Sequence, residues 1–183
     1  MPQGSKARGL IDFSRDAPAD RAARAEGDPV TPEQFQAIIA PVTELVQDKP
    51  LDRKLEAELN SAYPASGPAF KSIFDACGEA IKAGWMCNRE AGGIRFGRVI
   101  KPGADTHGFS VDVVEMKDLK GPHHRHPNGE IDLIMPLDAA AKFDGRGAGW
   151  LVYGPGSAHH PTVSGGKAFV LYLLPQGAIE FTK

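Results

Sequence analysis

The apolar positions of the chain change period once, near residue 92. Before that point they recur at helical spacing. Phe35, Ile38, Ile39, Val42, Leu45 and Val46 follow a 3.6-residue period. The run opens at Thr31-Pro32-Glu33, a hydroxyl cap followed by a proline and a carboxylate in the first turn. Pro41 lies inside it and predicts a kink or a split near Ala40, because proline removes one backbone donor. A second short helix is expected over 51–60, with Leu51, Leu55 and Leu59 on one stripe. A third opens at Ser66-Gly67-Pro68, carries Phe70, Ile73, Phe74, Cys77 and Ile81 on one face, and stops at Gly84. Cys77 belongs to that apolar stripe, which makes it a buried structural thiol rather than a nucleophile.

Beyond residue 92 the period is two. Strands are predicted at 93–100, 108–116, 130–136, 149–154, 167–174 and 178–182. Gly and Pro punctuate the junctions, as in Pro102-Gly103, Pro127-Asn128-Gly129, Gly154-Pro155-Gly156 and Pro175-Gln176-Gly177. Many short strands divided by turns describe a sandwich or a barrel. Residues 1–29 differ from both regions. They mix basic and acidic side chains, and their only large apolar residues are Met1, Leu10, Ile11 and Phe13. That composition reads as a disordered tail, or as an arm docking Leu10, Ile11 and Phe13 on a second subunit. The expected division is 1–29 tail or arm, 30–90 helical region packed on the strands, and 91–183 β domain.

Composition narrows the function. The 183 residues carry Lys+Arg 21 against Asp+Glu 23, a formal net charge of -2, so there is no basic field for nucleic acid. No apolar run approaches the ~20 residues of a membrane span. The first residues lack the apolar core of a secretory signal, and Cys77 and Cys87 form no Cys-x-x-Cys pair. A reduced, cytoplasmic setting is the expectation.

The candidate chemistry is in the histidines. All six lie beyond residue 106, and five fall in two clusters, His123-His124-Arg125-His126 and His159-His160. In an extended segment His124 and His126 share a face, and Glu130 returns after a Pro-Asn-Gly turn. His159 follows a second glycine turn. Three imidazoles and a carboxylate suit one divalent transition metal, and Fe, Mn, Zn and Ni all accept such ligands. A register one residue over would recruit His123 and His160 instead; at the chosen spacing those two become supporting or substrate-facing groups. His107 stands alone and reads as a surface residue.

His124-x-His126-x-x-x-Glu130 followed by Gly156-x-x-His159 resembles the two-part metal motif of the cupin superfamily. Gly121 stands closer to the first histidine than in that pattern. The proline of the second part is displaced into Gly154-Pro155-Gly156, and Val163 stands where an asparagine is usual. The resemblance covers roughly 92–182. It implies an α+β chain whose core is a small antiparallel β-barrel, a cupin-like double-stranded β-helix, preceded by a short helical region. The helical block narrows it further: a cupin preceded by KPLDRKLEAELNSAYP and AFKSIFDACGEAIKAGWM resembles the 4-hydroxylaminobenzoate lyase family. That resemblance implies a metal-dependent lyase producing 3,4-dihydroxybenzoate and ammonia from a small aromatic carboxylate, and a homodimer. The same ligands would serve an Fe(II)-dependent cupin dioxygenase, and a non-catalytic small-molecule-binding cupin is the third reading. For proton transfer the candidates are His123, His160 and Glu115. For the substrate they are Arg95 as cation and Trp150 and Tyr153 as walls. Arg95 and Arg98 lie on opposite faces of one strand, so at most one points inward.

Overall fold

The computed structural model describes residues 27–182. The expectation of a tail or docked arm at the N-terminus lies outside them as far as residue 26. Among the described residues three helices come first: α1 (Pro32–Val46), α2 (Arg53–Ala62) and α3 (Pro68–Lys82). Thr31 caps α1 in a reciprocal box, its hydroxyl accepting from Gln34 N at 3.2 Å while Gln34 Oε1 accepts from Thr31 N at 3.0 Å. Asp52 caps α2 by accepting from Leu55 N at 2.9 Å. Gly84, at φ +85, follows the end of α3. The expected split at Pro41 does not occur. α1 runs through it as one helix, held by the buried stripe Phe35, Ile39, Val42 and Val46, while Tyr63 Oη donates to Pro41 O at 3.1 Å. None of the described helices is long and apolar enough to cross a membrane.

Ten strands follow: β1 (Arg89–Ala91), β2 (Ile94–Ile100), β3 (Phe109–Lys120), β4 (His124–His126), β5 (Glu130–Pro136), β6 (Lys142–Phe143), β7 (Gly149–Tyr153), β8 (Ser157–His159), β9 (Thr162–Pro175) and β10 (Glu180–Phe181). They form two antiparallel sheets. The larger has the order β1-β2-β3-β9-β5-β7, with β6 on the other half of β9; the smaller is β10-β4-β8. The α+β architecture with helices ahead of antiparallel strands is as the sequence predicts. Among the described residues the two sheets are not joined by hydrogen bonds into a closed barrel; they meet across a cavity lined from both.

Each face of the larger sheet is covered. On one side Val111, Val113, Ile131, Leu133, Leu171 and Leu173 pack against Phe35, Ile39, Leu55, Leu59, Ile73 and Cys77 of the helices. Full burial of each such side chain contributes about 1.5–3 kcal/mol. On the other side Met116, Ile134, Leu151, Val170, Tyr172 and Leu174 form a second cluster facing the smaller sheet. The edge strand β7 is shielded by α2. Asn60 accepts from Trp150 N at 3.0 Å and donates to Trp150 O at 2.9 Å, and Glu56 Oε2 accepts from Val152 N at 3.0 Å. An open edge would offer those groups to another chain.

Cys77 lies in the buried stripe of α3, as expected, and Cys87 is also buried and free. Burial, then the charge of Glu115, pushes the Cys87 thiol up to about 12, and burial raises Cys77 as well. Neither is a thiolate near neutrality. His107 is not the surface residue expected. It ends a single 3-10 turn at φ 51, and its Nδ1 pairs with the buried Thr43 hydroxyl of α1 at 3.0 Å.

Candidate metal centre

β4 and β8 are only three residues long, yet they set the site. They pair antiparallel with His124 opposite His159 and His126 opposite Ser157. The pleat sends His124 and His126 to one face and Arg125 to solvent. The turn after β4 then returns the chain, and β5 begins at once with Glu130. Gly129 makes that return possible. Its φ is +87, and a Cβ there would stand 2.7 Å from Tyr153 O and from the Leu51 side chain.

The result is one cluster. His124, His126, Glu130 and His159 present ligand atoms all within 4.8 Å of one another. His159 Nε2 lies 3.1 Å from both His124 Nε2 and His126 Nε2, and His126 Nε2 lies 3.0 Å from Glu130 Oε2. Glu130 Oε1 is buried without a hydrogen bond, its nearest ring nitrogen being His159 Nε2 at 3.5 Å. With the His159 Nδ1 hydrogen committed to Asp144, a neutral His159 ring turns the lone pair of Nε2 toward the other two nitrogens. Nitrogens at ~2.0–2.1 Å from a common ion and at right angles to each other would be separated by about 3.0 Å. The donor set and its spacing fit one divalent transition metal.

Neighbours within the cluster shift the protonation of His124, Glu130 and His159. Burial, reinforced by His126, lowers the His124 ring to about 4, so it is neutral at pH 7. Burial also acts to lower His159, but hydrogen bonds to Asp144 and Glu130 outweigh it and raise that ring to about 9. Glu130 is pushed up by burial and pulled down further by His126 and His159, leaving it well below the usual carboxylate range. Asp132, two residues on and fully buried, is pushed well above that range by burial and by the Glu130 charge.

Asp144 was not singled out from the sequence, where Asp144-Gly145 reads as a turn. Its Oδ2 lies 2.6 Å from His159 Nδ1 and accepts from Tyr153 Oη at 2.7 Å, while Oδ1 accepts from Thr162 N at 2.9 Å. An ionised Asp144 requires the hydrogen on His159 Nδ1, which turns Nε2 of that ring toward the cluster. Tyr153, expected as a substrate wall, instead packs its ring 4.7 Å from that of His159 and braces Asp144.

His124 and Glu130 form one end of a cavity of about 630 Å³ between the two sheets, the size of a small-molecule site. Phe96, Val114, Met116, Leu174 and Phe181 supply apolar walls, and Arg89, Arg98 and Asp112 the other charges. The other residues expected at the site lie away from this cavity. Arg95 and Glu115 are partners, Nη1 to Oε1 at 3.1 Å, but they sit on the opposite face of β2 and β3, where Lys167 Nζ also reaches Glu115 at 3.2 Å. Their counterparts three residues away, Arg98 and Asp112, are also directly opposed and face the cavity, with Nε to Oδ1 at 2.9 Å. Trp150 belongs to the helical side, donating from Nε1 to Tyr63 O at 3.0 Å. His123 and His160 contact each other, ring centroids 4.9 Å apart. They bond to Thr182 and to Gly121 O, and neither lines the cavity.

The family model and the curated relatives carry one description. The PnbB family model, described as 4-hydroxylaminobenzoate lyase, matches residues 37–181. A 4-hydroxylaminobenzoate lyase of Pseudomonas putida is 31% identical over 153 residues, covering 74% of this chain and 87% of that protein. One of Nocardioides sp. (strain LMS-CY) is 29% identical over 160 residues, covering 82% of this chain and 95% of that protein. Among solved structures, an RmlC-like cupin protein from Ralstonia eutropha superposes at TM-score 0.40 and 10% identity, over 51% of this chain and 62% of that one. An oxalate oxidase in complex with glycolate superposes at TM-score 0.39 and 22% identity, over 51% and 57%.

Proposed function

The chain belongs to the 4-hydroxylaminobenzoate lyase family, and we propose that it converts 4-hydroxylaminobenzoate and water into 3,4-dihydroxybenzoate and ammonia. The observation that carries this reading is the His124-His126-Glu130-His159 cluster at one end of a largely apolar cavity. Those four residues would hold one divalent transition metal, of the class Fe, Mn, Zn or Ni. Bound there, it would supply Lewis acidity toward an oxygen of the substrate, where breaking the N–O bond develops charge.

The remaining work falls to the chain itself. Phe96, Val114, Met116 and Phe181 offer a flat apolar channel for an arene and exclude water from it. Asp144 and Tyr153 fix His159. The reaction consumes one water and releases one ammonia, so a proton must leave the attacking water and protons must reach the departing nitrogen. The cavity carboxyl suited to carry them is Asp112. Burial raises it above the usual carboxylate range, while hydrogen bonds from Ser110 Oγ at 2.6 Å and Arg98 Nε at 2.9 Å pull the other way. Asp112 thus takes the place in the scheme that the sequence alone suggested for Glu115, His123 and His160.

The ligand assignment is tested by elemental analysis alongside ammonia release. His126→Ala is expected to empty the site and abolish turnover, since one of three neutral nitrogens is lost. His160→Ala is expected to retain metal. Equal metal in wild type and His126→Ala, or loss only in His160→Ala, would overturn the assignment.

A further inference from the structure

We infer that Arg89 is the residue that recognises the carboxylate of the aromatic substrate, an inference that rests on the aromatic-acid reading of the cavity. The cavity has two ends of different character. His124 and Glu130 are buried in it, whereas Arg89 lies at its exposed margin on β1, the edge strand of the larger sheet. A benzoate substituted at the para position has the same polarity: the group that reacts and the carboxylate lie on opposite sides of the ring. With the N-hydroxyl group at the His/Glu end, the carboxylate is directed away from it, along the apolar walls.

Two guanidinium groups line this cavity, and they are not equivalent. Arg98 is engaged: Nε donates to Asp112 Oδ1 at 2.9 Å and Nη2 to Gly177 O at 3.0 Å. Its charge is offset by Asp112, and a second carboxylate brought beside it would meet that negative group. The Arg89 guanidinium has no hydrogen bond or ion pair with any described residue. It is directly opposite Phe96 in the β1–β2 ladder and therefore projects on the same face as that wall. An arene resting on Phe96 would present its carboxylate to a planar fork of five donors, none of them committed elsewhere. The chain as a whole is acidic, with a net charge of -2, so a free arginine at the cavity margin is a local feature.

The test separates recognition from catalysis. Metal-loaded wild type, Arg89→Ala, Arg89→Lys and Arg98→Ala are titrated calorimetrically with 4-aminobenzoate and with 4-aminobenzamide, which lacks the charge; neither contains an N–O bond. Wild type should prefer the acid, and Arg89→Ala should lose that preference by roughly 10–100-fold, the worth of a hydrogen-bonded charge pair. Affinity for the amide should be nearly unchanged. Arg89→Lys should keep part of the preference. With 4-hydroxylaminobenzoate, Arg89→Ala should raise KM far more than it lowers kcat. An acid preference retained in Arg89→Ala, or lost in Arg98→Ala instead, would overturn the assignment while leaving the lyase reading intact. Wild type that binds neither compound and releases no ammonia would remove the aromatic-acid reading, and Arg89's role with it.

Discussion

Asp144 shows how much the candidate site depends on a residue outside the four-residue cluster. It holds His159 by Nδ1, takes the Tyr153 hydroxyl, and is itself fixed by Thr162 N. Such partners set the tautomer and direction of a ligating histidine, and their loss usually weakens metal binding by ~10–100-fold. Asp144→Asn is therefore expected to lower metal affinity by about that factor in a competition titration, with folding retained. Tyr153→Phe should have a smaller effect in the same direction. Unchanged affinity in Asp144→Asn would show that His159 needs no support.

Asp112 makes a prediction about pH. Its carboxyl is raised by burial, so it holds its proton to a higher pH than the ~3.9 of a free aspartate. As the base for the attacking water it must be ionised. Activity should then fall as pH drops through that raised value, giving an acid limb displaced upward from the ordinary carboxylate range. Asp112→Asn should lower kcat by ~10²–10⁴-fold, and Asp112→Glu should retain part of it with the limb moved. A pH–kcat profile of Asp112→Asn that overlays wild type would exclude the role.

At the scale of elements, the helices contribute by covering the sheet more than by carrying chemistry. α2 closes the β7 edge through the Asn60 side-chain amide, which bonds both backbone groups of Trp150. Asn60→Ala leaves two buried backbone groups unpaired, at roughly 1–3 kcal/mol for each. Urea denaturation should show a loss of a few kcal/mol while metal content per folded chain stays the same. Stability within experimental scatter of wild type would mean that water replaces the amide without penalty.

The same covering explains which features the sequence could disclose. The four-residue cluster is legible in the sequence because its spacing is local: an i, i+2 pair in an extended segment and a glycine turn returning Glu130. The face that each long strand turns to the cavity was not. β3 and β7 are buried on both sides, by helices on one and by the cavity cluster on the other. Alternation then leaves no polar face to mark the outside, and the sequence does not show that Arg95, Glu115 and Trp150 lie off the cavity. His123 and His160 each neighbour a ligand in sequence, and adjacent residues on a strand point to opposite faces. Asp144 reaches His159 across 15 residues, a contact that only tertiary structure creates. Local propensity at Pro41 allows a split of α1, and the buried stripe of that helix keeps it in one piece.

At the scale of the whole molecule, a cavity between the two sheets is lined by His124 and Glu130 of the candidate metal cluster and by Arg89, whose guanidinium is unpaired among the described residues. The central claim is that this cavity carries out a redox-neutral exchange, in which water enters and ammonia leaves. The most direct measurement is an anaerobic incubation of metal-loaded protein with 4-hydroxylaminobenzoate, following ammonia and 3,4-dihydroxybenzoate together. Equal amounts of both, formed without oxygen or any added electron acceptor, are predicted. A strict requirement for oxygen, or no ammonia with any of Fe, Mn, Zn or Ni loaded, would contradict it.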